Sequence, residues 1–346
     1  MLNNTQNQII EFVKKVGESS SKEIFESIET SVSFATLKRS LALLASKNYL
    51  YIIGKGKSTK YLISPAYALI QPIDIENYYS KEIDEREIIE AFNFDVITEV
   101  LAKYNIFTKA ESEKLEELQA KFQLNISVLS TSEYKKEFER LAIDLSWKSS
   151  QIEGNTYSLL ETEKLLKEQE TASGKTREEA TMLLNHKKAL DFILEHPDYL
   201  YPLTVSKIED IHSILIKELD VAKNLRNKRV GISGTNYRPL DNEFQILEAL
   251  KNACEVINNK ESVFQKALIA LVLISYIQPF MDGNKRTARI VSNAILINGN
   301  YCPLSFRTVD SIDYKKSMLL FYEQNNIAAI KEIFISQFEF AVNTYF

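Results

Sequence analysis

The sequence predicts a mainly α-helical protein with a small β-containing domain near its N-terminal end. Only nine glycines and seven prolines interrupt the 346 residues, and apolar residues recur at helical spacing along most of the chain. A hydrophobic content of 45% is enough for more than one core. The longest apolar run, residues 267–277, is too short to cross a bilayer and is typical of a buried helix, so no membrane partner is expected.

Residues 1–66 have a pattern of their own. Apolar spacing and turn signals predict helices at residues 8–16, 22–28 and 34–46. Two β-rich runs around a Gly-Lys-Gly-Lys turn follow within residues 50–63. Three helices followed by a hairpin resemble a winged helix-turn-helix domain, which is the first of three predicted domains.

The charge of this N-terminal domain differs from that of the rest of the chain. Residues 1–66 contain nine Lys and Arg and five Glu, which gives them a net charge of +4. Because the net charge of the whole chain is −5, the remaining residues carry −9. Lys38 and Arg39 lie on the third helix, and the hairpin carries Lys55 and Lys57. A winged helix meets the major groove and the phosphate backbone at those places. DNA is therefore a candidate partner of this domain, and a contact surface for another protein is the alternative.

The rest of the chain divides into two further predicted domains. Residues 67–130 are predicted to be a linker followed by packing helices, without apparent chemistry. Residues 131–346 form the larger, almost wholly helical domain. Its predicted helices are at residues 133–152, 158–169, 176–195, 204–219, 244–258, 263–277, 284–297, 311–324 and 328–345. The exception is residues 226–239, named here the flap region, where alternation, two glycines and a proline predict a small β-hairpin.

The stretch QPFMDGNKRTAR, residues 278–289, concentrates the chemistry of the larger domain. A helix is predicted to begin after Gly283, and backbone N–H groups at a helix start bind anions. Arg286 and Arg289 share one helical face beside it, and arginine forks suit phosphate oxygens. Asp282 on the same loop suits Mg²⁺. The stretch predicts a pyrophosphate site with a metal, and a structural Asp–Arg network is the alternative.

The same stretch resembles the signature of the Fic family, His-Pro-Phe-x-(Asp/Glu)-Gly-Asn-Gly-Arg-x-x-Arg. It differs at two fixed positions, with Gln278 in place of the histidine and Lys285 in place of the second glycine. The stretch from Ser149 to Gly154, SSQIEG, is similar to the inhibitory motif of the family, (Ser/Thr)-x-x-x-Glu-(Gly/Asn), with Glu153 as its acid.

The resemblance implies a Fic-type helical core with a β-hairpin flap and an inhibitory helix. Proteins of this family typically transfer AMP from ATP to a Ser, Thr or Tyr hydroxyl of another protein. The implied cofactors are ATP and Mg²⁺. The implied partner is a protein target that docks on the flap by strand addition, against the residues Val230, Gly231, Ile232, Ser233 and Gly234.

The resemblance also implies a role for each motif residue. Asp282 would hold Mg²⁺, Arg286 would contact the β-phosphate region and Arg289 the γ-phosphate. Glu153 would pair with Arg289 and displace ATP from its productive pose. The implied catalytic positions are Gln278, Asp282, Asn284 and Arg286, the nucleotide-binding residues Gly283, Asn284, Lys285, Arg286 and Arg289, and the inhibitory residues Ser149, Glu153 and Gly154.

The two departures from the family signature affect the chemistry. Gln278 stands where the family has its general base, and a neutral carboxamide cannot take a proton at physiological pH. Because losing a positioned base costs about 10²–10⁴-fold in rate, we expect an impaired or conditional transferase. With Lys285, residues 284–286 read Asn-Lys-Arg, which is similar to the sequence of the related Doc toxins at this point. Those toxins transfer a phosphate instead of AMP. The histidines His186, His196 and His212 are far from the motif in sequence, and none is an obvious replacement base.

Several functions therefore remain open beside AMP transfer. The alternatives are a nucleotide-sensing pseudoenzyme that regulates DNA binding by the winged helix, a Doc-like phosphotransferase, and a Fic scaffold that only binds a protein through its flap. A homodimer is also left open. The two cysteines, Cys254 and Cys302, form no metal or redox pattern and suit a reducing compartment. The expected location is cytoplasmic.

Overall fold

The computed structural model describes residues 2–29 and 32–346, with the backbone alone at Lys57. Part of the turn predicted at residues 30–33 lies outside the described residues. The helices α1 to α15 are, in order, Asn4–Val16, Ser21–Ser27, Phe34–Ser46, Tyr67–Ile70, Ile75–Tyr79, Lys109–Ser127, Thr131–Ile152, Leu159–Glu168, Arg177–Glu195, Val205–Leu215, Glu243–Asn259, Val263–Ile277, Asn284–Asn298, Ser311–Gln324 and Ala328–Thr344. The strands β1 to β3 are Ser19–Ser20, Leu50–Ile53 and Lys60–Ile63. The mainly helical class is confirmed.

Many of these helices begin at a side chain that satisfies the free N–H groups of the first turn. At α8, Ser158 Oγ accepts from the Glu161 N–H while the Glu161 carboxylate accepts from the Ser158 N–H. The same reciprocal pair starts α6 with Thr108 and Glu111. Such capping boxes stop the helix from unwinding at its start.

The N-terminal residues fold in the order α1, β1, α2, α3, β2, β3. Strand β3 lies between β1 and β2 and is antiparallel to both, with Leu50 opposite Ile63 and Ile53 opposite Lys60. The three helices and the β2–β3 hairpin are where the sequence predicted them, except that α1 begins at Asn4 and not at residue 8. Strand β1 was not predicted, because two residues carry no periodic signal. The assignment of this unit as a winged helix stays a prediction.

The centre of the larger helical unit is α12, and residues 267–277 are all buried within it. This confirms that the longest apolar run is a core helix. Helix α13 packs along α12, and α11 contacts another part of its surface. The loop of residues 278–283 joins α12 to α13, so the motif lies at the end of the most buried helix. No described helix is both long and apolar enough to cross a membrane.

The flap region is an extended loop, and the predicted β-hairpin is wrong. A turn forms at Ser233 and Gly234, where Gly234 has a φ of 88°, but the two arms form no ladder among the described residues. The backbone N–H of Arg226 donates to the Pro279 carbonyl at 3.0 Å, and that of Arg238 to the Glu90 carbonyl at 2.7 Å. Backbone groups that a hairpin would pair across its arms are thus satisfied by neighbouring segments.

Candidate active site

A cleft of about 360 Å³ lies between the motif loop, the flap region and α14. The predicted residues that line it are Glu153, Val230, Gly231, Ile232, Ser233, Gln278, Asp282, Gly283, Asn284 and Lys285. Helix α14 contributes the opposite wall, which the sequence did not predict, through Tyr314, Lys315, Met318, Leu319 and Tyr322. Of the other predicted residues, Ser149, Gly154, Gly234, Arg286 and Arg289 are outside the lining.

Two residues in the left-handed region shape the motif loop. Gln278 ends α12 with a φ of 51°, and Gly283 precedes α13 with a φ of 79°. A Cβ on Gly283 would lie in ordinary contact with the His212 ring, at 3.4 Å, so it is the backbone conformation that favours glycine there. Helix α13 begins without a side-chain cap. Its first N–H groups are therefore available to an anion.

Asn284 holds the motif loop together through its side chain. Its Oδ1 accepts from the Phe280 N–H at 2.8 Å, and its Nδ2 donates to the Phe280 carbonyl at 2.8 Å. Nδ2 also donates to Gln278 Oε1 at 3.1 Å. Because this amide is fully used within the loop, any contribution of Asn284 to an anion cradle has to come from its backbone.

Gln278 has both ends of its side-chain amide occupied. Its Nε2 donates to the Ser275 carbonyl at 2.6 Å, and its Oε1 accepts from Asn284. The residue is buried, yet it borders the cleft. The amide therefore closes the turn at the end of α12, and it offers an incoming hydroxyl no basic lone pair.

Arg286 and Arg289 are almost completely buried, at 1% and 0% exposure. Arg286 Nη2 donates to Asp282 Oδ2 at 3.0 Å, while its Nε and Nη1 have no partner. Arg289 Nη1 is likewise unpaired. A buried guanidinium donor without an acceptor is unfavourable. These unpaired N–H groups fit an anionic ligand better than a purely structural network.

The end of α7 holds Arg289 from the other side. Arg289 Nε donates to Ser149 Oγ at 2.8 Å, and its Nη2 donates to the Ser149 carbonyl at 3.0 Å. The same Nη2 pairs with Glu153 Oε1 at 2.7 Å. The residues of the inhibitory-type motif and the last arginine of QPFMDGNKRTAR therefore meet as the resemblance implied. Gly154 follows Glu153 with a φ of 100° and ends the helix.

Glu153 is held by two cations. Lys285 Nζ lies 3.3 Å from Glu153 Oε2, so each carboxylate oxygen has its own partner. Burial alone would raise the pKa of Glu153, but the charges of Arg289 and Lys285 outweigh it and lower this pKa to about 2. Glu153 is thus ionised at neutral pH. The sequence analysis missed the second pair, although Lys285 stands one helical turn before Arg289 on α13.

Asp282 offers the cleft an accessible carboxylate. Its side chain is 65% exposed and forms an ion pair with Arg286. Among residues 2–29 and 32–346, no group of three or more His, Cys, Asp or Glu is arranged to hold a metal. The exposed carboxylate of Asp282 suits Mg²⁺, which is commonly held by one or two carboxylates and by the phosphates of its substrate.

His212 contacts the loop despite its distance in sequence, and His186 lies within the electrostatic influence of Arg286 and Arg289. The His212 ring stacks on Phe280 at 3.6 Å between centroids, and its Nε2 lies 3.0 Å from the Asp282 carbonyl. Burial lowers the pKa of His212 to about 4. His186 is fully buried, and burial together with the charges of the two arginines holds its pKa well below the usual value. Both rings are therefore neutral at physiological pH, and both are outside the cleft lining.

Comparison with known proteins relates this part of the chain to one family of known proteins. The model of the Fic/DOC family matches residues 202–296, which include the flap region and the whole motif. Over these residues the chain is similar to the Fic/DOC family. It is similar to protein adenylyltransferase fic-1 of Caenorhabditis elegans, with 25% identity over 177 residues, 48% of this chain and 34% of that protein. Protein adenylyltransferase Fic of Drosophila melanogaster is 24% identical over 308 residues, 82% of this chain and 62% of that protein.

Solved structures support the same fold. Fic-1 residues 134–508 of C. elegans superpose with a TM-score of 0.58 at 20% identity, covering 68% of this chain and 72% of that one. A Fic domain containing signaling protein from Bacteroides thetaiotaomicron gives 0.57 at 19% identity, covering 67% and 95%. The chain spans between about a third and three fifths of the length of the curated relatives above. At this identity the structures support the Fic fold, and function has to be argued from the cleft.

Proposed function

We propose that this protein binds Mg-ATP in the cleft and is a Fic-type AMP transferase that acts on a protein hydroxyl, with a rate restricted by Gln278. The observation that carries the proposal is the set of unpaired, buried guanidinium N–H groups on Arg286 and Arg289 beside the uncapped start of α13. The two relatives above are named protein adenylyltransferases, which supports AMP as the transferred group.

The residues of the motif and of the flap region have separate roles in this proposal. Asp282 holds Mg²⁺, which neutralises phosphate charge when it is bound. Gly283 lets the backbone approach the phosphates, and Arg286 binds the β-phosphate region. Arg289 and Lys285 are the remaining cations, and both are paired with Glu153 in the structure. The flap region holds the target close to the nucleotide, which is positioning catalysis.

Removing Arg286 tests the binding part of this proposal. Arg286→Ala should weaken Mg-ATP binding by at least about tenfold, as expected for the loss of a charge-assisted contact, when wild type and variant are compared by isothermal titration calorimetry. Arg307→Ala is the matched control, because Arg307 pairs with Asp144 at 3.1 Å and is outside the cleft lining. Equal affinities in wild type and Arg286→Ala would refute the assignment of the phosphate site.

A second candidate is a nucleotide sensor that controls DNA binding by residues 1–66. The observation that favours it is the exposure of Lys38, Arg39 and Lys55 on α3 and on the β2–β3 turn of a unit that carries +4. The side chain of Lys57 lies outside the described residues. A contact surface for another protein remains the alternative use of this face.

DNA binding of this kind should depend strongly on salt. Replacing Lys55 and Lys57 together by alanine should weaken it on all sequences and reduce the slope of log affinity against log salt by about two, one for each lost phosphate contact. Lys15→Ala with Lys22→Ala removes the same charge from α1 and α2 and serves as the control. Fluorescence anisotropy on random duplexes at low salt measures this, and no binding there would favour the protein-contact surface.

Doc-like phosphate transfer is a third candidate, which rests on Lys285. The Lys285 ammonium borders the cleft, and in the structure its acceptor is Glu153. The ion pair between Lys285 and Glu153 therefore favours a role of Lys285 in holding Glu153 over a role in phosphate transfer. Labelled ATP separates the two chemistries, because AMP transfer carries the α-phosphate and phosphotransfer carries the γ-phosphate.

A further inference from the structure

The flap region is covered on one side by a distant part of the chain. We name residues 82–91 the brace segment. Arg86 Nη2 donates to the Gly234 carbonyl at 3.0 Å, and Asn236 Nδ2 donates to Asp84 Oδ1 at 3.0 Å. Arg238 pairs with Glu90 through its backbone N–H and its guanidinium. The contacts are at residues 234, 236 and 238 of the flap region. Alternate residues of an extended segment face the same side, so this spacing indicates that the brace segment covers one side of the flap region.

The brace segment is anchored on α14 by a buried ion pair. Arg86 Nη1 lies 3.1 Å from both carboxylate oxygens of Glu323, and the two side chains are 6% and 0% exposed. The Tyr78 hydroxyl donates to Glu323 Oε2 at 2.8 Å, and the Ile89 N–H donates to the Glu323 carbonyl at 2.8 Å. A buried pair of charges is tolerated when its hydrogen bonds are made. Nη1 of Arg86 is bonded to Glu323 and Nη2 to the Gly234 carbonyl in the flap turn, while Nε has no partner.

The flap turn and the cleft share a side chain of α14. A Cβ on Gly234 would lie 3.5 Å from Leu319 Cδ1, so the turn packs against Leu319, which borders the cleft. The neighbouring Ile232 and Ser233 border it too. The position of the turn at the cleft is therefore set on one side by Leu319 and on the other by Arg86.

The chain that leads into the brace segment is also fixed. Asn326 Nδ2 donates to the carbonyls of Ala68 and Gln71, each at 2.8 Å, and the Ile327 N–H donates to the Leu69 carbonyl at 2.7 Å. These bonds hold the exit of the N-terminal unit on the turn between α14 and α15. A continuous set of contacts thus runs from that unit to the flap region.

We infer that Arg86 is a positioning residue that holds the flap turn at the cleft, and that the brace segment connects the N-terminal unit to the surface on which a target strand would dock. The inference goes beyond nucleotide binding, and it concerns residues that the family signature does not include. Its test uses no nucleotide. Failure of the proposed ATP site would leave it standing, and its own failure would leave the ATP site untouched.

Trypsin cleavage after Lys228 and Arg229, followed by mass spectrometry on the folded full chain, measures how often the flap region opens. Arg86→Lys keeps a charge for Glu323 but loses the planar fork that reaches Gly234 as well. We expect cleavage about fivefold faster than in wild type, the effect of one lost hydrogen bond. The control is Lys316→Gln, which removes an ion pair between α14 and Glu76 on the same side of α14 and should leave the rate unchanged.

Asp84→Ala provides an independent second variant, because Asp84 is exposed and its replacement leaves the buried pair intact. It should also speed cleavage, while the midpoint of thermal unfolding stays at the wild-type value. Cleavage at the wild-type rate in both variants overturns the inference. If Arg86→Lys lowers the midpoint of thermal unfolding, its cleavage rate is not used and the test rests on Asp84→Ala. Cleavage of Asp84→Ala at the wild-type rate then overturns the inference. Accelerated cleavage in Lys316→Gln to the same extent would show general loosening and would also overturn it.

Discussion

Replacing Glu153 by glycine should tighten Mg-ATP binding by at least about tenfold. The carboxylate occupies Arg289 at 2.7 Å and Lys285 at 3.3 Å, and each charge-assisted bond is comparable to what a phosphate oxygen would form. Because the pKa of Glu153 is lowered to about 2, the acid stays charged and keeps both cations at any pH where the protein would be assayed. Isothermal titration of wild type and Glu153→Gly measures the difference.

Two further variants distinguish the contributions of Arg289 and Lys285 to this effect, and a third serves as a control. Glu153→Gln keeps the shape of the side chain without its charge and should bind ATP with intermediate affinity. Lys285→Ala frees one carboxylate oxygen but also removes a cation, so no tightening is expected. Glu161→Gln alters the exposed capping box of α8 and serves as the control. If Glu153→Gly binds ATP no better than wild type, the end of α7 does not restrain the site.

Gln278→His in the Glu153→Gly background should raise AMP transfer by about 10²–10⁴-fold over Glu153→Gly alone, the usual contribution of a positioned base. Histidine tolerates the left-handed backbone that Gln278 adopts at φ 51°. It would give up one of the amide contacts with Ser275 and Asn284 and supply a basic nitrogen instead. Incorporation of label from α-labelled ATP, into a target or into the protein itself, measures the gain.

Gln278→Ala in the same background is the matched control. It also removes the amide but adds no base, so transfer should stay low. Two results would contradict the account. Robust transfer by the wild-type protein would mean that another base acts in the cleft, and no transfer in the His variant would mean that Lys285 or the flap region directs the site away from AMP chemistry. Label arriving only from the γ-phosphate would favour the Doc-like function.

The local parts of the fold were predictable because their causes lie close together in sequence. The predicted bounds of α3, α12 and α14 agree with the structure, since each helix has continuous apolar spacing and clear signals at its ends. The motif loop was predictable for the same reason. Twelve consecutive residues contain its turn, its glycine and its arginines.

The parts that failed depend on contacts between distant residues. Alternation in residues 226–239 predicts a strand, but the backbone partners of that segment are on the brace segment and at Pro279, and nothing local specifies them. The pair between Lys285 and Glu153 joins residues 132 apart. His212 lies 70 residues before the carbonyl it contacts. Only the packing of α7 and α10 against α13 brings these groups together.

The most direct test of nucleotide binding in the cleft is a calorimetric titration of Mg-ATP into Glu153→Gly. In this variant the carboxylate that pairs with Arg289 and Lys285 is removed, so both cations are free. We expect saturable binding at one site per chain, and a loss of at least about tenfold in affinity when Arg286→Ala is added. Omitting Mg²⁺, or adding Asp282→Ala, should weaken binding as well. If Glu153→Gly shows no saturable binding of Mg-ATP while its thermal unfolding midpoint matches that of wild type, the cleft is not a nucleotide site and the proposed function is wrong.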